Sequence, residues 1–427
     1  MSDWARRLVE AGKSLLIVLL ALSAAYLAAQ VFLGSGMGPS VLLSPPTGAA
    51  VSTEPAGSLG VARPVRMAVT NPNGRYGVQY DDDAVDELFD DLGSLLGEAL
   101  DSADLPARTT RSAWEQALQR RSVYYEFPGT TPLSLAAAWL GGSGSVPLLS
   151  VETDRLLLAQ DKDSECVRLF YVNAADSSYY SCETSVLFQD LLESYIPNGA
   201  AFAFLQPDRY DGLDRGTMLL SDPPSPPIYE AASGMDLSST EIRDVLLNAL
   251  SFHPQSNAIY PSADGWSVRD GGDTLRLTDK GTVAYHAGDG EARYPIPAGA
   301  GRAELVELTG SLVASAMAPY CGSARVYLSD ISQSGDVWTL TYSYLLSGAQ
   351  VQLGSDGWCA RFTIYNGQIT DYTLRLRRYT ATAETVSLLP EYQAMAAMEA
   401  MDAGGRKLLL RYYDGGSGPV SPTWIAR

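Results

Sequence analysis

Apolar residues recur at Val85, Leu88, Phe89, Leu92, Leu95, Leu96 and Ala99, the i, i+3, i+4 spacing of a helix with one buried face. Asp81, Asp82 and Asp83 load its N-terminal end, where the helix dipole is positive. The opposite face carries Asp86, Glu87, Asp90, Asp91 and Glu98; spread along a helix without the ligand spacing of a calcium loop, they read as a solvated face. Before this helix, residues 64–70 are strand-like and Asn71-Pro72-Asn73-Gly74 is a turn. After it come a helix over 114–119, the strand VYYEF, an apolar piece LSLAAAWL, and a meander over 155–158, 166–172 and 179–187.

A Pro-rich break, Asp222-Pro223-Pro224-Ser225-Pro226-Pro227, ends this first module. A small middle segment has one helix over 239–250 and two hairpin strands, 274–277 and 282–286. The last segment opens with a helix over 303–318, continues with strands 324–328 and 337–346, and turns at Asn366-Gly367 between RFTIY and QITDYTLRLRRY, a strong hairpin signal. A helix over 390–401 places Ala394, Met395, Met398 and Met401 on one face, read as core, and residues 407–413 close as a strand. The expected fold class is α+β: a transmembrane helix followed by three modules of antiparallel sheet with packed helices, at 63–222, 228–300 and 301–427.

The membrane helix is the run 14–33, SLLIVLLALSAAYLAAQVFL. At about 1.5 Å per residue it matches a hydrocarbon core of about 30 Å. Arg6, Arg7 and Lys13 precede it and no basic residue follows before Arg63, which places the stub 1–13 in the cytoplasm and the bulk of the chain outside. A cleaved signal peptide is the competing reading, though its apolar region would be shorter. Ala21, Ala25 and Ala29 recur every fourth position, a face on which a neighbouring helix can approach closely, and Gln30 can hydrogen-bond across that contact. An ordinary anchor needs no such face. Residues 34–62, rich in Gly, Pro, Ser and Ala with Glu54 as their one charge, read as a flexible stalk.

A net charge of −19 repels phosphate backbones and anionic lipid heads, which argues against nucleic-acid binding. With 46% hydrophobic residues the exported part can bury substantial cores. Its four cysteines are Cys166, Cys182, Cys321 and Cys359. A hairpin turning at 173–178 could set Cys166 across from Cys182 as a disulfide; four reduced, partly buried thiols are the alternative. No pair has C-x-x-C spacing, so zinc and thiol-redox chemistry have no motif.

The order of pieces resembles the YycH-type regulators, with the related YycI, of the WalK–WalR cell-wall two-component system of Gram-positive bacteria. The stretches that carry it are the anchor, RPVRMAVTNPNGRYGVQYDD, SVYYEFPGTTPLSLAAAWLG and TLRLTDKGTVAYHA, with WTLTYSYLLSGAQVQ, RFTIYNGQITDYTLRLRRY, LLPEYQAMAAMEA, LLLRYYD and PTWIAR towards the C-terminus. The resemblance implies a single-pass membrane protein that associates with the sensor histidine kinase, partly through its membrane helix, and adjusts kinase activity, with a YycI-like protein as companion. It brings no catalytic residues and no cofactor. The long stalk and the cysteines depart from the pattern.

Enzyme signatures are missing. His253 and His286 stand thirty-three residues apart with no HExxH. Gly141-Gly142-Ser143-Gly144-Ser145 fails as a nucleophile elbow at its last position, and none of the four lysines has a serine three residues before it. Paired carboxylates of a cell-wall hydrolase are identified only by geometry, so that reading stays open beside a passive envelope-binding scaffold.

Overall fold

A computed structural model of the protein describes residues 63–426, apart from 142–150, 189, 221–223, 235–238, 256–257, 402–406 and 417. It is a mixed α+β structure, mostly sheet with few helices. No helix among the described residues is long and apolar enough to cross a membrane; the run 14–33 lies outside them.

The first sheet holds β1 (Arg66–Asn71), β2 (Gly74–Gln79), β3 (Ala107–Thr109), β4 (Ser122–Pro132), β5 (Glu152–Gln160), β6 (Cys166–Val172) and β7 (Tyr179–Leu187), in the order β2-β1-β4-β5-β6-β7-β3. Its helices are α1 (Asp82–Asp101), α2 (Arg111–Ala117) and α3 (Leu133–Trp139). The alternation of VYYEF decides the layering, because adjacent strand residues point to opposite faces. Tyr125 faces α1, packs edge-on to Phe89 and donates its hydroxyl to the Leu92 carbonyl at 3.0 Å. Tyr124 faces the other way, into Trp114 of α2 and Phe202 of the short hairpin β8 (Ala201–Phe202) and β9 (Met218–Leu219). Each large apolar side chain that α1 buries contributes about 1.5–3 kcal/mol, and Asp81 caps the helix by accepting from Ala84 N–H. Its acidic face is less free than the sequence suggests: Asp86 pairs with Arg325 and Arg63, Asp90 with Arg63, and Asp91 accepts from the Tyr195 hydroxyl.

The remainder of the chain supplies β10 (Pro227–Ser233), α4 (Thr240–Ala249), β11 (Ala258–Ser262), β12 (Gly265–Asp270), β13 (Asp273–Thr278) and β14 (Thr282–His286). Then follow α5 (Arg302–Ala316), β15 (Arg325–Ser334), β16 (Val337–Leu346), β17 (Ala349–Leu353), β18 (Ala360–Tyr365), β19 (Gln368–Arg375) and β20 (Arg377–Thr385). The chain finishes with α6 (Glu391–Ala400), β21 (Leu408–Asp414), β22 (Pro419–Val420) and β23 (Pro422–Ala426). The stretches 228–300 and 301–427 share one sheet, because β14 pairs with β19 along Val283↔Leu374 and Tyr285↔Tyr372. Asn366 and Gly367 turn the β18–β19 hairpin with φ of 51° and 71°, the two positive values that a type I′ turn requires. On α6 Met395 is buried and Met398 packs on the core, whereas Met401 is exposed at the helix end.

The run QITDYTLRLRRY breaks at Leu376 into two strands of different sheets, β19 in the large one and β20 in the sheet β20-β10-β22. Tyr344 holds the break: its hydroxyl donates to Arg375 O at 2.8 Å and accepts from Arg377 N–H at 3.1 Å. Asp414, 1% exposed, then receives Arg377 through two bonds of 2.8 and 2.9 Å and the Tyr379 hydroxyl at 2.9 Å. Burial alone would push the Asp414 carboxyl up; Arg377, Gly416 N–H and Tyr379 together hold it below its ordinary range.

The first sheet docks on the last segment through polar and apolar contacts together. Tyr80 packs edge-on to Trp424. Glu126 is buried, and burial is opposed by Arg66, Lys407 and Arg155, which keep its carboxyl below the usual range; Tyr124 donates to it at 3.1 Å. Glu391 is less well served. Its carboxyl accepts from its own backbone N–H and from the Gln79 amide at 3.4 Å, and burial still raises its pKa.

These pairs predict two stability effects. Asp414→Ala strands a buried guanidinium and should cost about 3–5 kcal/mol in denaturant unfolding, whereas Glu115→Ala, which breaks the half-exposed pair with Arg215, should cost below about 1 kcal/mol. Equal costs would remove Asp414 from its central place. A raised carboxyl binds its proton more tightly folded than unfolded, so stability falls as pH rises from the unfolded pKa through the folded one. Glu391→Gln should therefore raise the unfolding midpoint at pH 7 and lose that advantage as the pH drops below the ordinary glutamate range near about 4.3; an advantage that persists in acid would refute the assignment.

Candidate functional site

Two neighbouring segments take left-handed backbone without being glycine. Ser347, φ 43°, is followed by Gly348, φ 64°, and the two form the turn between β16 and β17. Tyr80, φ 57°, follows β2 and leads into α1; a bulky residue in this region stores strain that the surroundings must hold. They hold it by contact. Gly348 lies against the Tyr80 backbone, where a Cβ would come to 3.4 Å, the Tyr80 ring lies on Trp424, and Arg66 covers it at 5.3 Å.

Between these segments opens a groove of about 770 Å³, within the size range of small-molecule and peptide sites. It is lined by Asp81, Asp82 and Asp83 at the start of α1, by Ser323, Arg325 and Ala381 of β20, and by Tyr229 and Ser347, their hydroxyls joined at 2.8 Å. Asp82 accepts a hydrogen bond from Gly348 N–H; burial, with Asp86 nearby, raises its pKa against the pull of Arg325. Arg325 is itself engaged by both carboxylate oxygens of Asp86. Among the described residues the lining carboxylates all belong to the one run 81–83, and no second acid faces them as glycoside hydrolysis requires. Nor do the described residues gather three metal-ligating side chains anywhere. His286 meets Asp371 at 2.7 Å on the exposed face of the large sheet, remote in sequence from His253.

Of the residues singled out in the sequence, Ala21, Ala25, Ala29 and Gln30 lie outside the described residues. Cys166 and Cys182 are described and are not brought together. The turn sets Val172 against Tyr179, so Leu169 faces Cys182, and after a bulge Cys166 faces Leu187. A three-residue offset along a strand is about 10 Å, beyond the reach of a disulfide. All four thiols are free: Cys166 is partly exposed, while burial pushes Cys182 and Cys321 up to about 12 and raises Cys359 well above the ordinary thiol range. The groove residues escaped the sequence reading because Asp82 and Arg325 meet only in the fold; the one local signal, three consecutive aspartates, has a sufficient explanation in helix capping.

No known family and no curated protein matches the chain. Among solved structures, YycH from Bacillus subtilis is similar to it with a TM-score of 0.57 at 10% sequence identity, covering 88% of this chain and 95% of that one. The chain thus shares the YycH-type fold over most of its length.

Proposed function

We propose that this protein is a membrane-anchored, extracytoplasmic regulator of a sensor histidine kinase of the WalK type in a cell-envelope two-component system, acting by association, with a YycI-like protein as companion. The observation that carries the reading is the shared YycH fold over almost the whole of both chains. The apolar run 14–33, its basic flank and its small-residue face support the anchor and the helix contact. The mechanism is a shift between kinase conformations, in which the associated helix and ectodomain favour one state. A typical allosteric coupling of about 1–3 kcal/mol changes activity about 5- to 150-fold, and only differential contact with the two states produces it.

The helix contact is tested at Ala25. Ala25→Leu adds bulk where backbones would approach while keeping the apolarity that insertion requires, so it should reduce kinase capture and change kinase output together; Leu19→Ile should do neither. Unchanged capture and output in Ala25→Leu would reduce the helix to a plain anchor. Orientation is tested at Cys166, the partly exposed thiol. A membrane-impermeant maleimide should label it in intact cells and not label Cys166→Ser, and labelling confined to lysed cells would reverse the topology.

A further inference from the structure

The groove has a feature beyond its charge: one of its walls is an open strand edge. On the side of β20 away from β10, Tyr379 N–H donates to Cys321 O at 2.9 Å and Tyr379 O accepts from Ser323 N–H at 2.8 Å. Strand alternation turns the N–H and C=O of Ala381, two residues on, to that same side. The neighbouring chain has by then departed, since after Ser323 it enters β15, which pairs with β16. Among the described residues no backbone group bonds Ala381 on the groove side, and Ala381 and Ala383 are exposed. Among the described residues the sheet β20-β10-β22 thus ends at the groove in an unfilled strand position.

We propose that this position receives an extended, cationic segment of a partner protein, added as a strand beside β20 with its basic side chains on Asp82 and Asp83. Strand addition supplies backbone hydrogen bonds whatever the sequence, and alternate side chains supply the selectivity. The charge balance selects cations. Among the described lining residues three aspartates stand with one arginine, Arg325, which Asp86 already engages, and the anion-binding capacity of the α1 N-terminus is taken up by Asp81, which caps Ala84 N–H. An acidic segment would meet uncompensated carboxylates. The proposal stands apart from the kinase reading: it names the chemistry of the docked segment, not the protein that supplies it, and it does not involve residues 14–33.

The test uses the full chain in mild detergent and fluorescently tagged hexapeptides as probes: KVKVKV, its acidic counterpart EVEVEV, and KVKVKV with methylated backbone nitrogens on its valines. Polarisation should report saturable binding of KVKVKV alone. Asp83→Lys, at an exposed position that leaves the core untouched, and Asp82→Asn should each weaken it about tenfold, the size of one charge-assisted hydrogen bond. Asp336→Lys makes the same change of charge as Asp83→Lys at the far tip of the β15–β16 hairpin and should leave binding unchanged, which separates groove recognition from general attraction to an acidic protein. Equal binding of EVEVEV, equal loss in Asp336→Lys, or the absence of saturable binding would each overturn the proposal; full binding of the methylated peptide would overturn strand addition.

Discussion

The structure turns on a buried carboxylate. Asp414 gathers Arg377 and Tyr379 just past the point where the run beginning at Gln368 leaves one sheet for another, and Tyr344 bonds both backbone sides of that break. Without a counter-charge there, Arg377 would sit almost dry and unpaired, and a strand interruption at Leu376 would leave its backbone groups unsatisfied. With it, a single run of chain serves the eleven-stranded sheet and the small sheet that bears the groove. The groove therefore depends on a polar cluster that none of its lining residues belongs to.

The local grammar of the chain was legible in its sequence. The apolar spacing of α1, the Tyr124–Tyr125 alternation and Asn366-Gly367 each state their geometry within a few residues, because helix period, pleat and turn backbone are short-range constraints. What was not legible is long-range or one residue deep. Nothing in 282–286 announces 368–375 as its neighbour, and nothing in Leu376 announces a change of sheet. The cysteine pairing failed on register: the turn fixes Val172 against Tyr179, and the sulfur atoms then miss each other however well the two strands were placed. The groove was hidden for the same reason as the sheet junction, its walls coming from opposite ends of the chain.

Likeness at 10% identity says that the packing problem has been solved in the same way, not that the surfaces are the same. The cores here are aromatic: Tyr285 stacks on Tyr372 and meets Tyr294 edge-on, and Tyr344 with Tyr379 and Tyr229 with Tyr412 pack edge-on too. Some of their hydroxyls bond neighbouring backbone, Tyr294 on Leu250 O, Tyr344 on Arg375 O and Tyr412 on Pro227 O, so at these places ring packing and chain placement are secured by the same residues. Such a core tolerates wide change outside while holding the sheets in place.

The placing of β10 has a consequence for how the chain is made. Both of its partners, β20 and β22, lie more than a hundred residues further along, and β17 likewise waits for β21. A chain that emerges N-terminus first would complete its first sheet early and then carry β10 with both edges bare until nearly the last residues arrive. A chain cut short by a few dozen residues would keep its first sheet but leave β10 without β22 and β17 without β21.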